Sequence, residues 1–116
     1  MIKHSNIFPE PILRLPEADI PLKGVAAYMS QSSNHQVLFM EFAEDVELPE
    51  HSHAEQVGIV IKGKIDMTID GTTKTYQTGD VYFIPENVPH HGYIYAGYAD
   101  VTFFNEKDRY LPKSIV

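Results

Sequence analysis

The chain has 116 residues, 43% of them hydrophobic and 22% charged, the balance of one globular domain large enough to bury its own core. It holds no cysteine, which excludes a disulfide scaffold, a thiolate metal site and a cysteine nucleophile together. Nine Lys and Arg against sixteen Asp and Glu give a net charge of −7, so nucleic acid and anionic membrane surfaces are excluded as expected partners. No apolar run of about 18 residues is present to span a bilayer, and residues 1–10 lack the apolar stretch of a signal peptide. The expected location is cytoplasmic.

Pro9, Pro11, Pro16 and Pro21 punctuate the first quarter of the chain. Each removes a backbone donor and disfavours helix at the residue before it. Residues 1–22 therefore read as an extended N-terminal arm, with an edge strand through Ile12, Leu13 and Leu15. Such an arm either covers a partner subunit or wraps its own domain. From Gly24 onward short apolar runs alternate with turn signals. Val25–Met29, Val37–Phe42, Val57–Ile61, Ile65–Ile69, Val81–Ile84 and Ala99–Phe104 are rich in β-branched and aromatic residues and read as strands. Asp70-Gly71 is the clearest break, because a two-residue hairpin turn of type I′ needs positive φ at both central positions. Ile65, Met67 and Ile69 alternate with polar residues ahead of it, as a half-buried strand entering a hairpin does. No useful window repeats apolar residues at the helical period. Residues 23–116 are expected to form one all-β barrel or sandwich.

Two of the six histidines form His51-Ser52-His53. On a strand, residues i and i+2 point to the same face, so both imidazoles would converge on one spot. Gln56 follows, then Val57 to Gly63, and later Gly79 to His90 with Pro85 between. Here the sequence resembles the cupin superfamily, whose two motifs read Gly-x5-His-x-His-x(3,4)-Glu-x6-Gly and Gly-x5-Pro-x-Gly-x2-His-x3-Asn. His51, His53 and Gly63 match the first motif; Gly79, Pro85 and His90 match the second. The motifs span residues 45–94. Four positions depart from the pattern. Asp45 and Asn87 stand where the family has glycine, both residue types that tolerate left-handed backbone. Ile94 stands where the second motif ends in Asn, and Gln56 stands in place of Glu.

The resemblance implies a small double-stranded β-helix, a cupin-like jelly-roll barrel. It further implies one divalent transition metal ion held by His51, His53, Gln56 and His90. Strand parity favours Gln56 over Glu55 as the fourth ligand: with Gln56 inward, Gly58 and Val60 are inward and Val57, Ile59 and Ile61 outward. A nitrogen and oxygen donor set suits iron, manganese, nickel, cobalt or zinc. Three neutral imidazoles and an amide leave the ion's full charge in the pocket, which favours a small anionic ligand. Val60, Met67 and Ile94 are expected on the pocket wall. His91, Tyr93 and Tyr95 face outward by parity, and His4 and His35 read as solvated. Glu55 reads as an exposed carboxylate, with general acid–base work at the pocket mouth as its alternative. The outward apolar face of residues 57–61, with the family's habit, implies a homodimer. The expected function is a metal-dependent enzyme on a small anionic metabolite, of isomerase, lyase, decarboxylase or dioxygenase type. The alternatives are a non-catalytic small-molecule binding or sensing module and a metal-free barrel.

Overall fold

A computed structural model describes residues 5–114. Nine strands form two antiparallel sheets that pack face to face as a jelly-roll barrel. The strands are β1 (Val25–Gln31), β2 (Gln36–Phe42), β3 (Val46–His51), β4 (Gln56–Lys62), β5 (Lys64–Ile69), β6 (Thr72–Gln77), β7 (Val81–Ile84), β8 (His90–Ile94) and β9 (Ala99–Phe104). One sheet has the order β1-β2-β9-β4-β7 and the other β3-β8-β5-β6. Alternation sets which face is inside. In β2, Gln36, Leu38, Met40 and Phe42 are buried while the residues between them are half-buried. In β4, Gln56, Gly58 and Val60 are buried, and Ile59 and Ile61 are exposed, the expected parity. The core lies between the sheets, around Leu38, Val60, Ile65, Ile84, Ile94 and Phe104.

Asp70 and Gly71 both take positive φ, at 50° and 81°, and close the β5–β6 hairpin, in which Ile69 faces Thr72. Asn87 is left-handed as expected, with φ 61°. Asp45 is not among the positive-φ residues. It holds its turn through its side chain instead, accepting hydrogen bonds from the Ala96 N–H at 2.7 Å and the Tyr93 hydroxyl at 2.9 Å.

The arm departs from its expected strand. Residues Glu10–Leu13 form a single helical turn, α1. Pro11 sits in the first turn, where the missing N–H would have had no partner in any case. The apolar side chains that suggested an edge strand are used for docking. Phe8 and Leu13 are buried with Tyr28 and Ala99, and Phe8 meets Phe39 edge-on at 5.8 Å. Sheet-like bridging occurs later, at Glu17 opposite Tyr28 and Ala18 opposite Pro112. The described arm therefore wraps its own barrel, and Ile20 enters the main core.

Candidate metal centre

His51 ends β3 and faces His90 across the β3–β8 pair, beyond a bulge that follows Leu48. Pro49 is tolerated there because β3 is an edge strand. His53 lies two residues past the strand, in the loop before β4, so strand parity is not what turns it inward. The loop does this, anchored where the left-handed Asn87 donates its N–H to the His53 carbonyl at 2.9 Å and Asn105 donates to the Glu55 carbonyl at 3.0 Å. The ring centroids lie 4.2 Å apart for His51–His90, 4.7 Å for His53–His90 and 5.2 Å for His51–His53.

Each imidazole has its Nδ1 against a backbone carbonyl. The partners are Pro49 at 2.8 Å for His51, Ala54 at 2.7 Å for His53 and Val88 at 3.0 Å for His90. A carbonyl oxygen only accepts, so each Nδ1 carries the proton and each Nε2 presents a lone pair. One ligand atom from each of the three histidines falls within 4.8 Å of the others. The Nε2 atoms of His53 and His90 are 3.2 Å apart, a separation that two nitrogens about 2.1 Å from one ion would span near a right angle. Burial pulls the His53 imidazolium down to about 4 and also lowers His90, with the Arg109 charge adding to both. Neutral rings with converging lone pairs fit a divalent ion of the expected class.

Below the histidines is a second polar group. Asp100 on β9 is 3% exposed. Its carboxylate accepts from the Tyr98 hydroxyl at 2.6 Å, Thr102 Oγ1 at 2.9 Å and the Tyr82 hydroxyl at 3.4 Å. Burial pushes its pKa up to about 6 despite these donors. Tyr82 in turn accepts from Gln56 Nε2 at 3.3 Å. That contact commits the amide nitrogen to the tyrosine and leaves Gln56 Oε1 as the free end. The Tyr82 ring covers Gly58 so closely that any Cβ there would collide with it.

The histidines, Gln56 and this cluster share one cavity of about 350 Å³. Met67 and Ile94 are among its lining residues; Val60 is not and is buried in the core. Glu55 is outside the lining, and its carboxylate accepts from Asn105 Nδ2 at 2.8 Å. His91 is exposed and Tyr93 and Tyr95 face outward, paired ring to ring at 4.9 Å. His35 is half-buried against Phe103 rather than solvated, and His4 lies outside the described residues. Sequence reasoning missed Tyr82, Asp100, Thr102 and Arg109 as cavity residues, and also the arm's Ile20, Pro21 and Leu22. A signal existed for two of them: Asp100 and Thr102 share the parity of Phe104, which puts polar side chains on the inner face of an otherwise apolar strand.

A family profile described as a cupin domain matches residues 38–107. Among characterised sequences, the chain is 35% identical over 69 residues to the H2HPP isomerase of Bacillus subtilis, a match covering 58% of this chain and 29% of that one. The chain thus spans less than a third of that relative's length. Among solved structures, an RmlC-like cupin from Shewanella frigidimarina superposes with a TM-score of 0.72 at 22% identity, covering 94% of this chain and 96% of that one. KdgF from a Halomonas species gives 0.67 at 16% identity, with 78% and 89% covered. Salicylate 1,2-dioxygenase from Pseudoaminobacter salicylatoxidans, solved in complex with gentisate, gives 0.64 at 17% identity, with 73% and 26% covered. Among the described residues no helix is long and apolar enough to cross a membrane.

Proposed function

The chain belongs to the cupin domain family, and from that premise we propose that it is a metal-dependent enzyme acting on a small anionic metabolite. His51, His53 and His90 hold one divalent iron, manganese, nickel, cobalt or zinc ion, with Gln56 Oε1 as the fourth donor. The observation that carries this reading is the meeting of Nε2 lone pairs. With all three Nδ1 protons committed to carbonyls, nothing in the described chain stands between the His53 and His90 nitrogens at 3.2 Å. Two lone pairs at that distance repel unless a cation or a proton lies between them. When bound, such an ion supplies Lewis-acid stabilisation of negative charge on a substrate oxygen.

The chain's own residues do the rest. The backbone carbonyls hold the imidazoles in one tautomer and one orientation. Tyr82 holds the Gln56 amide by its nitrogen. Neutral donors leave the site positive, so it draws an anion. The apolar walls exclude water around the bound ligand. The isomerase relative, at 35% identity, supports an isomerisation among the reaction types open to this site. A second reading, a non-catalytic binding module, is favoured by one observation. The cavity's one carboxylate, on Asp100, already accepts from three hydroxyls, and Glu55 stands outside the lining, so no free carboxylate is at hand to move protons.

Two further features join this reading. The described part of the N-terminal arm, residues 5–22, acts as a strap on the barrel domain and closes one side of the cavity through Ile20 and Leu22. A second copy of the chain covers the outer sheet face, where Ile59, Val81 and Phe83 are each about half exposed, giving a homodimer in solution.

The deciding measurement is element-resolved metal content of untagged protein purified without chelator. Near-stoichiometric metal that disappears in His53→Ala is the expected result. Protein that is empty and refuses every divalent ion on reconstitution would overturn the ligand assignment and leave the binding module.

A further inference from the structure

Among the described residues, Arg109 is the one Lys or Arg that borders the cavity, and Asp100 is its one carboxylate. The two differ in how they are satisfied. Asp100 has three hydroxyl donors. Arg109 has its Nε buried with no hydrogen-bond partner, and among the described residues no carboxylate forms an ion pair with it. A buried N–H without an acceptor is costly to the fold, and a guanidinium with no carboxylate partner leaves its charge for a ligand to match.

The guanidinium is also held in place. Its carbon lies 4.5 Å from the centroid of the Tyr110 ring and 5.6 Å from that of Phe104. The Phe104 ring stands 5.6 Å from the His53 ring, so Arg109 and His53 flank the same aromatic side chain. The segment carrying Arg109 is clamped by Gln36, a fully buried residue of β2. Gln36 Nε2 donates to the Tyr110 carbonyl at 2.7 Å, and Gln36 Oε1 accepts from the Tyr110 N–H at 3.1 Å. A planar fork stacked on two rings and fixed at its backbone is ready for a carboxylate.

The rest of the wall restricts the ligand's body. Leu22, Met40, Leu48, Met67 and Ile94 line the cavity with Phe104. The hydroxyls of Tyr82 and Thr102 are already donated to Asp100. A polyhydroxylated ligand would bury several hydroxyls against hydrocarbon with few partners to meet them. We propose that Arg109 is the carboxylate-binding residue of this cavity, and that its ligand is a small carboxylic acid with a branched or aromatic hydrocarbon body. The proposal rests on reading the cavity as a ligand site, and it deepens the anionic substrate class given above.

The test is calorimetric titration of the full chain, metal-loaded and chelator-stripped, with three probes: 3-phenylpropanoate, its neutral amide and gluconate. The wild type is expected to prefer 3-phenylpropanoate to both others. Arg109→Gln should lose affinity for that acid by about tenfold to a hundredfold, with affinity for the amide and metal content unchanged. Arg109→Lys should recover part of the loss, since a point charge lacks the fork. The proposal is overturned if Arg109→Gln binds the acid as the wild type does, if the amide binds equally well, if gluconate binds more tightly, or if the acid does not bind at millimolar concentration. Failure here and failure of the metal reading are separable. An Arg109-dependent preference for the acid in protein that takes up no metal supports this proposal while the metal assignment falls. Full metal loading with no effect of Arg109→Gln does the reverse.

Discussion

The barrel interior holds two polar clusters on one cavity, and they are built on opposite principles. Asp100 is a buried carboxylate to which three hydroxyls donate, so the fold itself satisfies it. The three histidines spend their only protons on backbone carbonyls and turn unsatisfied nitrogens toward one another. A closed network of the first kind stiffens a core. An open cluster of the second kind is repulsive until something positive enters it. The difference separates polar groups that serve the fold from polar groups that serve a ligand, and it does so without reference to residue type.

Damage to the two clusters should have opposite signatures. His53→Ala or His90→Ala should weaken metal binding by more than the roughly 100-fold that follows loss of a residue supporting a ligand. Metal-free thermal stability should move by less than about 1 kcal/mol, because the variant relieves facing lone pairs. Asp100→Ala should do the opposite. Three buried hydroxyls would lose their acceptor, costing about 2–4 kcal/mol, a fall in Tm of roughly 10 °C for a domain of this size. The folded fraction of that variant should still load metal. Differential scanning calorimetry beside metal analysis of the same samples reads both. An Asp100→Ala protein that melts normally but loads no metal would merge the two clusters into one site.

The open cluster was far more legible in the sequence than the closed one. His51, His53 and His90 stand at motif spacing, and β4 parity placed Gln56, Gly58 and Val60 inward as the structure has them. Strand parity does not place His53, which turns inward from a loop pinned by Asn87. Asp100 is hidden in Ala99–Phe104, which reads as an apolar run; two of its donors, Tyr98 and Thr102, flank it at two residues' distance, and only Tyr82 comes from another strand. The i±2 spacing of those two donors marks a shared strand face without naming a contact, and the Tyr82 contact surfaces only when the barrel closes. Arg109 follows the last strand, where no alternation says which way a side chain points. β3 and β6 are polar, with Val46 the one fully buried residue between them; they are strands because β8 and β5 pair with them. The arm's helical turn shows the converse, since Pro11 is compatible with a first turn as well as with extended chain.

Gln56 joins the clusters, since its amide nitrogen reaches Tyr82 and its oxygen is left for the proposed metal ion. Gln56→Glu should therefore sharpen the comparison. A carboxylate donor lowers the charge left on the ion, so metal affinity should rise by about tenfold, roughly 1.4 kcal/mol. Affinity for an anionic ligand should fall. Isothermal titration with metal, then with acid, measures both on one preparation. Unchanged metal affinity would remove Gln56 from the ligand set and leave it as part of the Asp100 network.

The smallest expected effect is on the pH dependence of metal-free protein, where the two clusters pull in opposite directions. Burial lowers His53 from 6.5 to about 4, so the folded state binds fewer protons than the unfolded one in that window. Its contribution to stability is present above 6.5 and lost as pH falls through about 4. His90 acts in the same direction. Burial raises Asp100 from 3.8 to about 6, so there the folded state binds more protons. That contribution is present below 3.8 and lost as pH rises through about 6. Between about 4 and 6 the two slopes oppose each other. In chelator, His53→Asn should flatten the acid-side decline in Tm, because an amide has no proton to gain. Asp100→Asn should steepen it, because the opposing slope is removed and the histidines act alone. Tm measured at several pH values for the three proteins tests the pair of signs at once. Curves that shift in parallel, with slope unchanged by either substitution, would show that neither cluster titrates on folding and that their contrast is one of geometry alone.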